Sequence, residues 1–346
     1  MSIRAGIINV TGYAGMELAR ILRSHAEVKL TAVTGRSAAG ERIDEFLPHL
    51  DRMGLTIVGQ DELDDVDVAF SALPHKASAE ACVAMLGKNA RVVDIAADFR
   101  LHNVKEYEDW YQPHPAPSYL EEAVYGLPEL HREQIRGARL VANPGCYPTG
   151  ALLGLAPLVA EKLIEPNVIV DSKSGVSGAG RSLSQTVHFS EANENVSAYG
   201  LTGHRHLPEI TQELREMDPY QRWSVTFTPH LIPMTRGILS TIYVTPADGR
   251  IPASPEGAAR LRDLFEDYYA DEPFVRVTKD PPQTKQTSGS NFTQVFPVLD
   301  SRTGRIIIVT ALDNLVKGAA GQAIQNMNLM FGAPETEGLQ EFALFP

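Results

Sequence analysis

Cysteine is almost absent from this 346-residue chain, where only two residues, Cys82 and Cys146, are of that type. One possible bridge in so long a chain is no disulfide framework, so a reducing, cytoplasmic setting is expected. Two thiols also exclude a cysteine-rich zinc centre, and no metal is expected. In that setting the Asn-x-Ser/Thr triplets at Asn9, Asn195 and Asn291 have no glycan meaning. No apolar run approaches the ~20 residues of a membrane span. Met1-Ser2-Ile3-Arg4 leads straight into a strand-like segment, without the pattern of a signal peptide. Positive charge is in the minority: 31 Lys and Arg against 43 Asp and Glu give a net charge of −12. Such a surface repels nucleic acid and anionic membranes, so neither is an expected partner. An anionic small molecule would need a locally positive pocket.

What is present is ordinary globular composition, 43% hydrophobic and 21% charged, with length for roughly two domains. Strands are predicted at 3–10, 28–34, 66–72 and 91–95, with helices at 16–24 and 77–86 between them. Apolar strands alternating with helices imply parallel βαβ units, so the first ~140 residues read as a Rossmann-type, doubly wound domain. After about residue 145 the pattern changes. A helix at 151–162, strands at 167–172, 224–229, 237–245 and 305–311, and a helix near 256–269 predict an α+β domain with a mixed or antiparallel sheet. A last helix is predicted at 318–331; its Gln325, Asn326 and Asn328 suit an interface or a cofactor-facing surface. Pro113–Pro117 and Pro281–Pro282 read as loops.

The first strand runs into Asn9-Val10-Thr11-Gly12-Tyr13-Ala14-Gly15, just before the first helix. Glycines there let backbone approach a pyrophosphate, and the helix dipole favours its charge. The second strand ends in Thr34-Gly35-Arg36-Ser37 with no acid until Glu41. An acid at that place would hold ribose hydroxyls, whereas Arg36 and Ser37 suit a 2′-phosphate, which favours NADP(H).

Cys146 stands in Asn143-Pro144-Gly145-Cys146-Tyr147-Pro148-Thr149, ahead of a helix expected to begin near Gly150. A cysteine at a helix N-terminus has its thiolate stabilised, which suits a nucleophile. Cys82, inside an apolar helix, reads as a buried structural thiol. Gly203-His204-Arg205-His206 supplies two imidazoles and a guanidinium; His206 can take and return the thiol proton, and Arg205 can hold a carboxylate or phosphate.

Together these segments resemble the N-acetyl-γ-glutamyl-phosphate reductases, an arginine-biosynthesis family of the aspartate-semialdehyde-dehydrogenase superfamily. The resemblance covers essentially the whole chain. It rests on the motifs at 11–18, Leu73-Pro74-His75, Asp98-Phe99-Arg100, 125–129, 143–149, Ser174–Arg181, Gly203–Ile210 and 313–323. It implies an NADP-binding domain over 1–145, completed by a C-terminal segment of about 312–346, and a catalytic and dimerisation domain over 146–311. It implies Cys146 as nucleophile, His206 as general acid/base and His204 beside it. Cofactor contacts are implied at Thr11, Gly12, Tyr13, Ala14, Gly15, Arg36, Ser37, His75, Ser177, Gly178 and Asn314. Substrate contacts are implied at Arg100, Asn143, Arg205 and Glu209. The implied reaction takes an acyl phosphate to an aldehyde through a cysteinyl thioester, releasing inorganic phosphate, in a homodimer or homotetramer. Two positions depart from the family pattern: Asn9 stands where the turn usually has glycine, and Lys76 where glycine often follows His75. The motifs do not separate this family from its relatives that reduce aminoadipate or glutamate acyl phosphates held on an acidic carrier protein. A non-catalytic NADP-binding regulator and a cysteine acyltransferase or hydrolase are the other readings.

Overall fold

The computed structural model describes residues 2–345; Met1 and Pro346, the outer ends of the expected domain ranges, lie outside them. The chain forms two compact units, Met1–Gly145 with Ala319–Glu341, and Cys146–Gly318 with Phe342–Pro346.

The first unit opens with β1 (Ile3–Ile8), α1 (Tyr13–Leu22), β2 (Val28–Thr34), α2 (Ile43–Phe46), β3 (Ile57–Val58) and β4 (Val68–Ser71). It continues with α3 (Ala79–Gly87), β5 (Arg91–Asp94), α4 (Val104–Trp110), β6 (Val124–Tyr125), α5 (Pro128–Gly137) and β7 (Leu140–Ala142). Among the described residues its strands form one parallel sheet in the order β3-β2-β1-β4-β5-β7-β6. Every residue of β4 is buried, as expected where helices cover both sheet faces. Cys82 lies in the core between β4, β5 and α3 with Ile8, Met85 and Val92, and burial pushes its thiol far up. The expected structural role of Cys82 therefore holds.

The second unit runs α6 (Cys146–Ala160), β8 (Ile164–Ser174), α7 (Phe189–Ala192), β9 (Ser197–Ala198), α8 (Leu207–Met217) and β10 (Ser224–Leu231). It then adds β11 (Ile238–Pro246), α9 (Pro255–Tyr268), β12 (Val275–Val277), β13 (Thr293–Asp300) and β14 (Arg305–Leu312). Its sheet is mixed, in the order β12-β13-β14-β11-β8-β10-β9, with β8 parallel to β10 and antiparallel to β11. The apolar α6 lies close on one face. A Cβ on Gly154 would come within 2.6 Å of Ile242 Cδ1, so any larger residue there would make the Ile242 side chain shift. The opposite face carries Ile169, Leu239, Tyr243, Phe296, Val298, Ile307 and Val309, none of them buried. The register aligns Val298, Ile307, Tyr243 and Ile169 in one row across four strands.

Two expectations about helices change. The helix predicted from 151 begins at Cys146 itself. Pro148 sits in the first turn, where a backbone N–H has no helical acceptor to lose. The helix predicted from 318 is instead a π-turn, Val316–Ala320, followed by α10 (Gly321–Phe331) in the first unit. Its polar residues do not form an interface surface. Asn326 bonds to Gly126 and Asn143, Asn328 to His25, and Gln325 to Glu335, all within that unit.

Candidate active site

In the first unit the expected cofactor residues gather at the carboxyl ends of three adjacent strands. Thr11–Gly15 follows β1, Arg36 and Ser37 follow β2, and His75 follows β4; in an open parallel sheet this end is where ligands bind. Gly12 is the N-cap of α1, so the first free N–H groups of that helix lie in the turn. A Cβ on Gly15 would sit 2.3 Å from Asn9 O, so the turn closes only with glycine there. Tyr13, Arg36 and Ser37 are exposed and Ala14 half-buried. His75 Nδ1 accepts the Ala97 N–H at 3.0 Å, which leaves its other nitrogen as the donor in the neutral ring. The residues present fit a dinucleotide: a glycine cradle at a helix N-terminus with an exposed arginine at the neighbouring strand end.

In the second unit Cys146 is the first residue of α6 and half-buried. The dipole of that helix favours negative charge at its start. Neither cysteine is bridged. The next residue, Tyr147, packs edge-on against both histidines, with ring centroids 5.7 Å from His204 and 5.8 Å from His206. The two imidazoles lie 4.9 Å apart. Tyr199 and Phe227 enclose His204 from other sides at 5.4 and 5.2 Å, and the Tyr147 and Tyr199 hydroxyls meet at 2.9 Å. Burial, and then the Arg205 charge, push His204 down to about 4, so it is neutral near pH 7. His204 Nδ1 accepts the backbone N–H of His206 at 3.1 Å, which places its proton on Nε2. His206 caps the start of α8, and Glu209 lies buried in the first turn of that helix. Arg205, between the histidines, is exposed.

Ser177, Gly178 and Asn314 also come together. Asn314 Nδ2 donates to Ser177 Oγ at 2.9 Å, and its Oδ1 accepts the Gly237 N–H at 2.8 Å. Asn314 thus holds the glycine-rich loop after β8 against the start of β11, with both ends of its amide engaged. The Asp98-Phe99-Arg100 segment serves the fold of the first unit. Asp98 accepts the N–H groups of Lys76, Ser78 and Ala79 at the start of α3, and Phe99 lies in the core. Arg100 is 3% exposed and donates to Asn143 O at 2.7 Å and Ile95 O at 2.8 Å. Asn143, fully buried, belongs to this bracing rather than to an open surface.

Residues 4–138 match the family model of the semialdehyde dehydrogenase NAD-binding domain, and residues 146–314 that of the semialdehyde dehydrogenase dimerisation domain. Proteins named N-acetyl-γ-glutamyl-phosphate reductase from Dehalococcoides mccartyi and Geotalea daltonii are 53% and 49% identical to the chain. Both cover 99% of it and 99–100% of their own length. The chain belongs to the N-acetyl-γ-glutamyl-phosphate reductase family. A crystal structure of aspartate semialdehyde dehydrogenase with NADP from Candida albicans shares the fold, with a TM-score of 0.71 at 18% identity over 96% of this chain and 99% of that one.

Both departures from the reductase pattern have one explanation. Asn9 has φ +70° and Lys76 φ +74°, the left-handed region in which glycine is easiest and asparagine is tolerated. Asn9 adds bonds that glycine lacks: its Nδ2 donates to Ala72 O at 2.8 Å, and its Oδ1 accepts from Thr11 Oγ1 at 3.1 Å. The reductase motifs named Tyr147 only as a neighbour of the cysteine and did not single out Tyr199 or Phe227. No local spacing joins positions 147, 199 and 227; only the pairing of β9 with β10 and the packing of α6 does.

Proposed function

We propose that the chain reduces N-acetyl-γ-glutamyl phosphate to N-acetyl-glutamate γ-semialdehyde with NADPH, through a thioester on Cys146. The observation that carries this reading is the placement of Cys146 at the first residue of α6, with the His204–His206 pair packed on the adjoining Tyr147. The names of its full-length relatives support the substrate. His206 takes the proton from Sγ, and the thiolate attacks the acyl carbonyl and expels inorganic phosphate. When bound, reduced nicotinamide would supply the hydride that takes the thioester carbonyl to the aldehyde level, with the Cys146 thiolate as the leaving group. Backbone N–H groups at the start of α6 are donors for the oxyanion, each worth about 3 kcal/mol. His204, neutral, braces His206 through its main chain. Arg205 holds the anionic part of the substrate. Arg36 and Ser37 select NADP over NAD, and Thr11–Gly15 carry the pyrophosphate. The half-exposed apolar face of the second unit is the surface of a homodimer, a reading supported by the dimerisation-domain match over 146–314.

The test is phosphate-dependent reduction of NADP⁺ at 340 nm with N-acetyl-glutamate γ-semialdehyde, with Cys146→Ser alongside. Turnover by the wild type alone supports substrate and nucleophile together. A folded wild type that binds NADPH but is inactive would redirect the assignment to a carrier-linked acyl phosphate.

A further inference from the structure

We infer that Asn326, on the C-terminal helix, is a positioning residue for the nucleophile; this rests on Cys146 being that nucleophile. Asn143, three residues before Cys146, has all four of its polar groups engaged within the first unit. Its N–H donates to Asp94 O at 2.8 Å and its carbonyl accepts from Arg100 Nε at 2.7 Å. Its side-chain Nδ2 donates to Ala319 O at 3.1 Å, and its Oδ1 accepts from Asn326 Nδ2 at 3.0 Å. Asn326 Nδ2 also donates to Gly126 O at 2.8 Å, and the side chain is fully buried.

The chain passes from the first unit to the second at Gly145–Cys146 and back at Gly318–Ala319. Asn143 therefore ties the lead-in of the first crossing to Ala319 at the second, and Asn326 holds Asn143 in place for both. Within the second unit the same two crossings are packed together: a Cβ on Gly318 would lie 2.8 Å from Cys146 Cβ. A thiolate must stand within a fraction of an ångström of its attack position, and displacement by about 1 Å can lower turnover about a hundredfold. Asn326 is the one member of the set that reaches both the Asn143 amide and the Gly126 carbonyl, from a helix some 180 residues away along the chain.

The experiment compares Asn326→Ala, Asn326→Asp and Gly126→Ala with wild type and Cys146→Ser. It reads kcat, KM for NADP⁺, the rate of Cys146 alkylation by iodoacetamide against pH, and cooperative melting. In Gly126→Ala the new Cβ would come within 2.4 Å of Asn326 Nδ2 and displace it without deleting it. The expected result is a fall in kcat of about tenfold to a hundredfold in folded variants, with KM for NADP⁺ within about threefold and a changed alkylation rate. Asn326→Asp keeps the shape but sets a carboxylate against two oxygens, which raises its proton affinity. Its kcat, normalised to folded protein, should therefore recover towards acid pH. Unchanged kcat and alkylation in folded variants overturn the inference, as does a loss of activity matching only the loss of folded protein. An active Cys146→Ser would instead overturn the assignment of the nucleophile.

Discussion

His204 Nδ1 receives the backbone N–H of His206 at 3.1 Å, so one imidazole is an internal support for the other. Both stand beside Tyr147, the residue after the thiol. His204 is held neutral by burial and by Arg205; in the proposed mechanism the proton transfers fall to His206.

His206→Asn is therefore expected to lower kcat by about 10²–10⁴-fold. His204→Asn, which keeps an acceptor near the His206 N–H, should cost less. His204 has a folded value of about 4 against 6.5 unfolded, so the unfolded chain takes up its proton first as pH falls. Stability is complete above about 6.5 and is lost as pH drops towards 4, by on the order of 2 kcal/mol. Melting temperatures between pH 7 and pH 4 should fall less steeply in His204→Asn than in wild type. Equal slopes would refute this.

Asp94 behaves in the opposite sense. Burial, and then the Asp98 carboxylate, push it up to about 7, although Ser78 Oγ donates to it at 2.5 Å. The folded state keeps a proton that the unfolded chain releases near pH 4, so this group lowers stability as pH rises from about 4 to 7. Asp94→Asn removes that dependence. Its melting temperature relative to wild type should climb between pH 5 and pH 8, and a constant offset would count against the raised Asp94.

At the cofactor turn, Asn9→Ala keeps φ +70° without the two side-chain bonds. It should destabilise by about 2–3 kcal/mol, from left-handed strain plus lost hydrogen bonds. Asn9→Gly relieves the strain and should cost less. Gly15→Ala drives a Cβ into Asn9 O and should weaken NADPH binding more than either. Fluorescence titration with NADPH, alongside urea unfolding, separates the two effects.

Arg36 is exposed at the end of β2. Arg36→Ala is expected to raise KM for NADPH by about tenfold to a hundredfold, the loss of a charge-assisted contact, while leaving KM for NADH nearly unchanged. If both cofactors weaken alike, Arg36 does not read the 2′-phosphate.

Much of this could be read locally. The apolar strands of the first unit, the turn at Gly12 and Gly15, and the cysteine at a helix start are short-range patterns, and they imply parallel strands, an anion site and a nucleophile. Two expected helix boundaries shifted: the helix expected from 151 starts at Cys146, with Pro148 in its first turn, and residues 316–320 form a π-turn ahead of the last helix. The β13 strand was not among the expected strands; Pro297 lies within it. That Arg100 donates to the Asn143 and Ile95 carbonyls could not be read from the sequence, since an arginine in sequence carries no sign of whether carbonyls surround it.

The sequence by itself determined the family and the layer architecture, and it put forward the reacting groups, because periodicity and motif spacing are properties of neighbouring residues. Only the tertiary structure decided that His204 is buried and neutral, that Asn314 clamps Ser177 to Gly237, and that Asn326 reaches Asn143. Desolvation and hydrogen-bond partners depend on what distant segments bring to a side chain. No pattern along the chain encodes them until the sheets and helices have packed.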